Sequence, residues 1–210
     1  MTKDSKYFKG MAEDFIGSTD VITMDFRGHG RSSGMYTFSA KEVADLKAVV
    51  DYAKARYHQV NLLGFSLGAA ISIIYTAEYK NINNIICVSA PADFDKIENR
   101  SYKKEAFIPT MQKLELKRWV SVRPGSPFLK KVKPIDVVQG INVPVLFIAG
   151  GEDPTVYPWH TKALYDKAHS PKAYELFKDD FHAEDLYIRS RERFLKVCGQ
   201  WIGEKERVKL

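Results

Sequence analysis

The chain of 210 residues is long enough for one domain whose hydrophobic core needs no disulfide or metal ion to stabilise it. Its residues are 45% hydrophobic and 28% charged, as in an ordinary globular protein, and no apolar run approaches the roughly 20 residues that span a bilayer. The net charge of +6 raises the question of a nucleic-acid partner, but no nucleic-acid-binding motif accompanies it. We therefore expect neither a nucleic-acid partner nor a membrane span.

The two cysteines, Cys87 and Cys198, lie in an apolar strand-like run and in a terminal helix-like segment. They form no disulfide framework, and no set of His, Cys, Asp and Glu has the spacing of metal ligands. We therefore expect free, buried thiols in a reducing compartment, a cytoplasmic protein, and no metal or other cofactor.

Strand-like and helix-like segments follow one another along the chain. A helix within residues 1–17 precedes a β-branched run, Thr19–Phe26, that predicts a buried strand. Ser39, with Glu42 three residues later, has the spacing of a capping box and predicts the start of a helix that ends near Tyr57. The later predicted elements are strand 60–63, helix 69–79, strand 85–90, strand 143–149, helix 158–168, strand 173–177 and helix 183–202.

The predicted strands, near residues 21, 61, 86, 146 and 175, are apolar throughout rather than alternating with polar residues. Such strands, followed by helices, are typical of a parallel sheet that is covered on both faces. The predicted fold class is therefore α/β, with a mostly parallel sheet between two layers of helices. We expect a single domain over residues 1–210.

The sequence G-F-S-L-G at residues 64–68 joins an apolar strand to a helix rich in small residues. A G-x-S-x-G motif in this position predicts a sharp turn that holds the Ser66 hydroxyl above the sheet. An ordinary structural turn is the alternative, which the flanking strand and helix disfavour. We expect a Cβ at either Gly64 or Gly68 to collide with the neighbouring strand or helix.

Two further residues with catalytic chemistry follow later strands. Asp153 comes after the predicted strand 143–149, and His182 comes after 173–177. Because sites in an open parallel sheet form beyond the carboxyl ends of its strands, we expect Ser66, Asp153 and His182 to lie together. Their order along the chain, Ser then Asp then His, is that of a catalytic triad on this architecture.

Four motifs resemble the α/β-hydrolase superfamily: D-F-R-G-H-G-R-S-S-G at 25–34, G-F-S-L-G at 64–68, G-G-E-D-P-T-V at 150–156 and F-H-A-E-D-L at 181–186. The resemblance covers essentially the whole chain. It is closest to the branch of acyl esterases, monoacylglycerol-lipase-like enzymes and serine aminopeptidase-like proteins. It implies a serine hydrolase that cleaves a small-molecule acyl ester through an acyl-enzyme intermediate.

Each candidate residue has a role in that chemistry. Ser66 is the nucleophile, His182 takes and returns its proton, and Asp153 accepts the other ring N–H. The backbone N–H of Leu67 is one donor of the oxyanion hole. Thioesterases, amidases, peptidases and cofactor-free perhydrolases use the same triad and remain open as alternatives, and the substrate-binding residues are not assigned.

Other residues compete for these roles or have simpler ones. Glu152 is a rival to its neighbour Asp153, although the spacing to Val156 matches the superfamily better for Asp153. Asp93 is a weaker rival, because some members carry the acid after the preceding strand. We expect His29 to be structural or to line the pocket. The remaining histidines, which we expect at the surface, are His58, His160 and His169.

The second oxyanion donor of the superfamily lies on a loop after its third strand, and this chain has no counterpart of that loop. The first residues, 1–5, resemble the tail of the loop, which implies that the first three strands are absent and that a sheet edge is exposed. We expect the genomic sequence upstream to encode a strand ending in His-Gly. The short chain alone would be impaired in catalysis, would be a silent scaffold or binding protein, or would self-associate through the exposed edge.

Residues 92–140 occupy the position at which the superfamily carries cap insertions, and we expect a small helical cap there. Within them, Lys96–Lys133 contains eleven Lys or Arg against three Glu, an excess larger than the net charge of the whole chain. Two interpretations remain: a preference for acidic substrates or an anionic surface, and the solvated face of a small cap. We favour the second.

Overall fold

The computed structural model describes residues 2–97, 122–126 and 128–203. Within these residues four strands form one sheet, and neighbouring strands pair in parallel in chain order. The strands are β1 (Asn61–Phe65), β2 (Asn84–Val88), β3 (Val145–Gly150) and β4 (Lys172–Phe177). The predicted parallel sheet is confirmed.

The described helices connect and flank these strands. They are α1 (Lys6–Ile16), α2 (Glu42–Lys54), α3 (Leu67–Tyr79), α4 (Pro134–Val137), α5 (Pro158–Lys167), α6 (Asp185–Arg189) and α7 (Arg191–Gly203). None of them combines the length and the apolarity that crossing a bilayer requires.

The helices bury two separate hydrophobic cores, one on each face of the sheet. On one face α2, α3 and α5 pack on β1, β2 and β3 through side chains that include Leu46, Ile71 and Leu164. On the other face α1, α6 and α7 contribute Met11, Leu186 and Phe194. Burying one such side chain stabilises the fold by about 1.5–3 kcal/mol, so both layers of helices are held to the sheet mainly by apolar contact.

The predicted strand Thr19–Phe26 is wrong, because this segment forms no strand in the structure. A strand exists only when its backbone N–H and C=O groups pair with a neighbour about 4.8 Å away. The described sheet begins at β1, and a cavity separates β1 from residues 20–26. The run has the composition of a strand but no partner within the described residues.

The predicted capping box between Ser39 and Glu42 is also wrong. The Glu42 carboxylate accepts hydrogen bonds from the Thr37 N–H at 2.7 Å and the Thr37 hydroxyl at 2.8 Å. Ser39 has a positive φ of 83°, and its hydroxyl is buried without a hydrogen-bond partner among the described residues. Glu42 therefore tightens the loop before α2 rather than closing a box with Ser39.

The predicted helix over 183–202 is broken in two at Ser190. The Ser190 hydroxyl donates a hydrogen bond of 2.6 Å to Asp180, in the loop after β4. Ser190 has the non-helical backbone angles φ −122° and ψ 42°, so α6 ends before it and α7 begins after it. Both helices contribute buried side chains to the same core, among them Leu186 of α6 and Phe194 of α7.

The predicted cap over 92–140 falls largely outside the described residues, which omit 98–121 and 127. At its described ends, a 3-10 turn spans Phe94–Lys96 and the Lys133 ammonium lies 3.0 Å from the Asp93 carboxylate. The helical cap and its basic face remain predictions.

Candidate active site

Ser66 occupies the sharp turn between β1 and α3. Its backbone angles are φ 50° and ψ −115°, in the left-handed region that a residue with a side chain adopts at a cost of about 1–3 kcal/mol. The Ser66 N–H donates to the Val88 carbonyl at 2.8 Å, which ties the turn to the carboxyl end of β2. The sheet thus holds the serine in a strained conformation at the edge where strand ends converge.

Of the two glycines in this turn, only Gly64 has no room for a Cβ, whereas a collision was predicted for both. A Cβ on Gly64 would lie 2.6 Å from backbone atoms of Gly68 and Ala69, so no larger residue fits. A Cβ on Gly68 would meet no atom within 4 Å, and the prediction for that position is wrong. Gly68 borders the cavity between β1 and residues 20–26, which leaves it room.

Asp153 and His182 are joined directly by a short hydrogen bond. The distance between His182 Nδ1 and Asp153 Oδ2 is 2.7 Å. The other carboxylate oxygen of Asp153 accepts the N–H groups of Thr155 at 2.9 Å and Val156 at 2.8 Å. Asp153 is only 2% exposed, so these donors orient a buried carboxylate toward the imidazole.

Ser66 and His182 line the same cavity, which has a volume of about 830 Å³, and Pro154 and Thr155 line it beside them. The three residues expected to cooperate therefore lie at the carboxyl edge of the sheet, on the turns that follow β1, β3 and β4. Asp153 and His182 are 29 positions apart in the sequence and are in contact because the parallel strands that precede them end at the same edge of the sheet.

Leu67 is the first residue of α3. Backbone N–H groups in the first turn of a helix have no acceptor within the helix, and they lie at the positive end of its dipole. This position next to Ser66 is the one that the predicted oxyanion donor requires, and the role of the Leu67 N–H remains a prediction. Thr2 lines the same cavity from the beginning of the described chain.

Ser89 helps to position the histidine loop, a role that we did not predict from the sequence. Its hydroxyl oxygen accepts the N–H of Ala183, the residue after His182, at 3.0 Å. Both Ser89 and Ala183 have positive φ, so this contact joins two tight turns. The only sequence signal for this role is a serine directly after an apolar strand. That pattern is also common in ordinary structural turns, so it does not identify the role.

The rival acids do not take the place of Asp153. The Glu152 side chain is on the surface, and the Glu152 N–H donates to the Asp180 carbonyl. Asp93 binds Lys133 and accepts the Asp95 N–H at 3.0 Å. Burial raises the pKa of Asp93, but these two contacts outweigh it and hold that pKa below its usual value.

The other histidines have structural surroundings. His29 lines the cavity, as expected; its burial lowers its pKa, and its ring meets Tyr36 edge to face at 4.9 Å. The prediction that His160 is a surface residue is wrong. It is 1% exposed, accepts the Ala92 N–H at 3.2 Å and stacks on Trp159. Surface positions are observed for the remaining two, His58 and His169.

No group of three His, Cys, Asp or Glu side chains in the described ranges is arranged to hold a metal ion. Cys87 and Cys198 are buried and unbridged, and burial raises the pKa of both thiols.

Comparison with known proteins adds a family and a set of relatives. Residues 4–138 match the family model described as serine aminopeptidase, S33. The uncharacterized protein YqkD of Bacillus subtilis is 27% identical over 189 residues, covering 87% of this chain and 62% of that protein. The alpha/beta hydrolase domain-containing protein WAV2 of Arabidopsis thaliana is 27% identical over 161 residues, covering 71% of this chain and 48% of that protein. The chain spans less than two thirds of the length of either relative.

Solved structures share the fold. The esterase Pf2001 of Pyrococcus furiosus superposes with a TM-score of 0.76 at 23% identity, covering 97% of this chain and 76% of that one. The esterase EaEST of Exiguobacterium antarcticum superposes with a TM-score of 0.71 at 17% identity, covering 96% and 89%. These similarities confirm the predicted α/β fold class.

Proposed function

This chain belongs to the serine aminopeptidase S33 family of α/β hydrolases, and we propose that it is a serine hydrolase that cleaves carboxylic esters through an acyl-enzyme intermediate. The main support is the 2.7 Å contact of His182 with the buried Asp153, in a cavity that Ser66 also lines. The choice of an ester is supported by the two esterases with the same fold.

The first half of the proposed reaction forms the acyl-enzyme. Ser66 Oγ attacks the ester carbonyl carbon while His182 Nε2 takes the hydroxyl proton, because Nδ1 of the same ring is bound to Asp153. The Leu67 N–H stabilises the negative oxygen of the tetrahedral intermediate. The imidazolium then gives its proton to the departing alkoxide, and an alcohol leaves.

The second half regenerates the serine. Water attacks the acyl carbon while His182 removes one of its protons. The resulting imidazolium then returns that proton to Ser66 Oγ, which leaves as the hydroxyl as the acid product departs. Thioesters and amides differ from esters only in the leaving atom, so they are alternative substrates of the same groups. A panel of chromogenic esters, thioesters and anilides of one acyl chain should show the ester hydrolysed fastest.

A fluorophosphonate probe tests the nucleophile, since it forms a covalent bond only with an activated serine. We expect the chain to be labelled and the Ser66→Ala variant to lose labelling, with kcat lowered by a factor on the order of 10⁶. Ser18→Ala, a change of the same size at an exposed position, should be labelled normally.

Two results would contradict the proposal. Labelling that survives in Ser66→Ala would place the reactive serine elsewhere. A well-folded chain that is never labelled and hydrolyses no acyl substrate would instead be a catalytically silent scaffold or binding protein.

Activity should also depend on pH in a defined direction. His182 accepts a proton only as the neutral imidazole, so kcat/KM should rise as pH increases through the titration of this residue. Measuring kcat/KM for a neutral ester from about pH 5 to 9 tests this, because that interval includes the range in which histidines titrate. A flat profile would exclude His182 as the general base.

A further inference from the structure

Two buried polar side chains that the proposed reaction does not use lie in the first turn of α5. His160 is 1% exposed and Thr161 is fully buried. The helix that carries them follows the loop of the catalytic acid, Asp153. Burying a polar side chain costs free energy unless it is hydrogen-bonded, so the partners of these two residues show what they hold in place.

Both side chains bind the segment that follows β2, residues 89–93, which we call the β2 loop. His160 Nδ1 accepts the Ala92 N–H at 3.2 Å. The Thr161 hydroxyl donates to the Ala90 carbonyl at 3.3 Å. The first turn of α5 therefore fixes the backbone of the β2 loop at two positions.

The β2 loop begins with a strained residue, Ser89, whose φ is 50°. A residue with a side chain keeps such a conformation only where its surroundings impose it. The Ser89 N–H donates to the Ile148 carbonyl of β3 at 2.8 Å, and the contacts from α5 act on the residues that follow. The strained turn is thus held by the sheet before it and by α5 after it.

The position of Ser89 matters for the histidine loop. Its hydroxyl accepts the N–H of Ala183, the residue directly after His182, and this contact is buried. Ala183 also has a positive φ, of 54°, so a displaced Ser89 would release a second strained turn. A line of contacts therefore runs from α5 through the β2 loop to the residue beside the catalytic imidazole.

We propose that His160 is a positioning residue for His182. By holding Ala92 it fixes the turn at Ser89, and that turn fixes where the imidazole lies relative to Ser66. The His160 side chain does not line the cavity that Ser66 and His182 share, so it acts through the β2 loop. Displacing a catalytic group by about 1 Å can cost on the order of 100-fold in rate. The inference rests on the proposed function, in which His182 is the general base.

Two substitutions of nearly equal shape test the acceptor. In His160→Asn the amide oxygen takes the place of Nδ1 and can accept the Ala92 N–H, whereas His160→Leu has the same branching and no acceptor. We expect His160→Leu to lower kcat about tenfold or more with KM changed less than about threefold, and His160→Asn to stay within about threefold in kcat. His169→Leu, at a surface histidine, is the matched control and should behave like the unmodified chain.

Nuclear magnetic resonance follows the line of contacts without any turnover. Hydrogen exchange at the Ala183 amide should be about tenfold faster in His160→Leu, and the resonance of the His182 proton shared with Asp153 should shift or broaden. Both signals should return in His160→Asn. Ser89→Ala removes the last contact of the line, so adding His160→Leu to it should cause no further loss, because residues that act in one line are not additive.

Three results would overturn the inference: equal effects of Leu and Asn at position 160, unchanged Ala183 exchange in His160→Leu, or losses in the double variant that multiply. If His160→Leu does not fold, Thr161→Val tests the same line with a side chain of equal size. It should speed Ala183 exchange and lower kcat about threefold or more, and no change would equally overturn the inference.

Failure of the proposed function gives a different result from failure of this inference. A chain that the fluorophosphonate never labels would remove the hydrolase, yet exchange at the Ala183 amide would still show whether His160 holds the histidine loop. Conversely, a labelled chain whose Ala183 exchange ignores His160 would keep the hydrolase and lose the positioning role.

Discussion

Asp153 uses its two carboxylate oxygens for different purposes. One oxygen accepts the backbone N–H groups of Thr155 and Val156, and the other meets His182. The backbone therefore holds the carboxylate still, and the carboxylate in turn selects the orientation of the imidazole. Neighbouring Glu152 has no such surroundings, because its side chain is at the surface.

Replacing the acid tests this division of roles. Asp153→Asn keeps the size of the side chain but presents an amide to His182, so we expect kcat to fall by a factor on the order of 10⁴ with the fold intact. Glu152→Gln is the matched control and should leave kcat within about threefold, because surface changes of this kind have small effects. Steady-state kinetics and far-UV circular dichroism measure both. The opposite ranking would assign the acid to Glu152.

At the scale of elements, the turn between β1 and α3 depends on close approach of strand and helix. Gly64 lies in β1 and Gly68 in the first turn of α3, and only Gly64 is in contact with backbone atoms across the turn. The strained conformation of Ser66 is held by this packing and by the hydrogen bond to Val88.

The two glycines therefore form a matched pair for measuring the turn. Gly64→Ala forces a Cβ to 2.6 Å from backbone atoms and should destabilise the fold by about 3 kcal/mol. Gly68→Ala meets no atom within 4 Å and replaces a glycine within a helix, so it should be neutral or stabilising by up to about 1 kcal/mol. Urea denaturation of both variants measures the difference, and equal losses would contradict the packing argument.

At the scale of the whole molecule, a polar cluster joins the two ends of the described chain. The Asp14 carboxylate, on α1, accepts hydrogen bonds from the Tyr187 hydroxyl at 2.6 Å and from Arg191 Nε at 2.8 Å. The contacts from Arg191 and Tyr187 hold the pKa of Asp14 below its usual value. α1 is thereby fastened to α6 and α7 across the edge of the core that they share.

This cluster should make stability depend on pH. Because the folded protein lowers the pKa of Asp14, the stabilisation is present above the unfolded value near 4 and is lost as pH falls through the folded value. We expect Asp14→Asn to be less stable than the unmodified chain at pH 7, with the difference shrinking below about pH 4. Urea unfolding at several pH values measures it.

A surface pair provides the control for that measurement. Asp51 forms an exposed pair with Lys47 four residues earlier on α2, and exposed pairs of this kind contribute little to stability. Asp51→Asn should therefore change stability little at any pH. A pH-independent loss in Asp14→Asn would show that packing, rather than the charge, accounts for the effect.

Much of the architecture could be predicted because it rests on local patterns. Apolar runs such as 145–150 are buried on both faces and have the composition of a central strand wherever they pack. Ser66, Asp153 and His182 each follow a strand of the parallel sheet. Because parallel strands end on the same side of a sheet, their positions alone predict that all three lie at one edge. The contact between Asp153 and His182 follows from that topology.

The wrong predictions concern residues whose strand partners, hydrogen-bond partners or surroundings in the fold are not set by the local sequence pattern. Residues 19–26 have the composition of a strand, yet a strand forms only against a neighbour, and the described sheet supplies none. Glu42 binds Thr37 instead of Ser39, and Ser190 breaks a helix because Asp180 attracts its hydroxyl. The sequence by itself determines which segments are apolar and how their apolar residues are spaced, and this predicts most strands and helices. Which groups pair by hydrogen bonds, which strands have a neighbour and how much room lies beside Gly68 depend on how the chain packs in three dimensions.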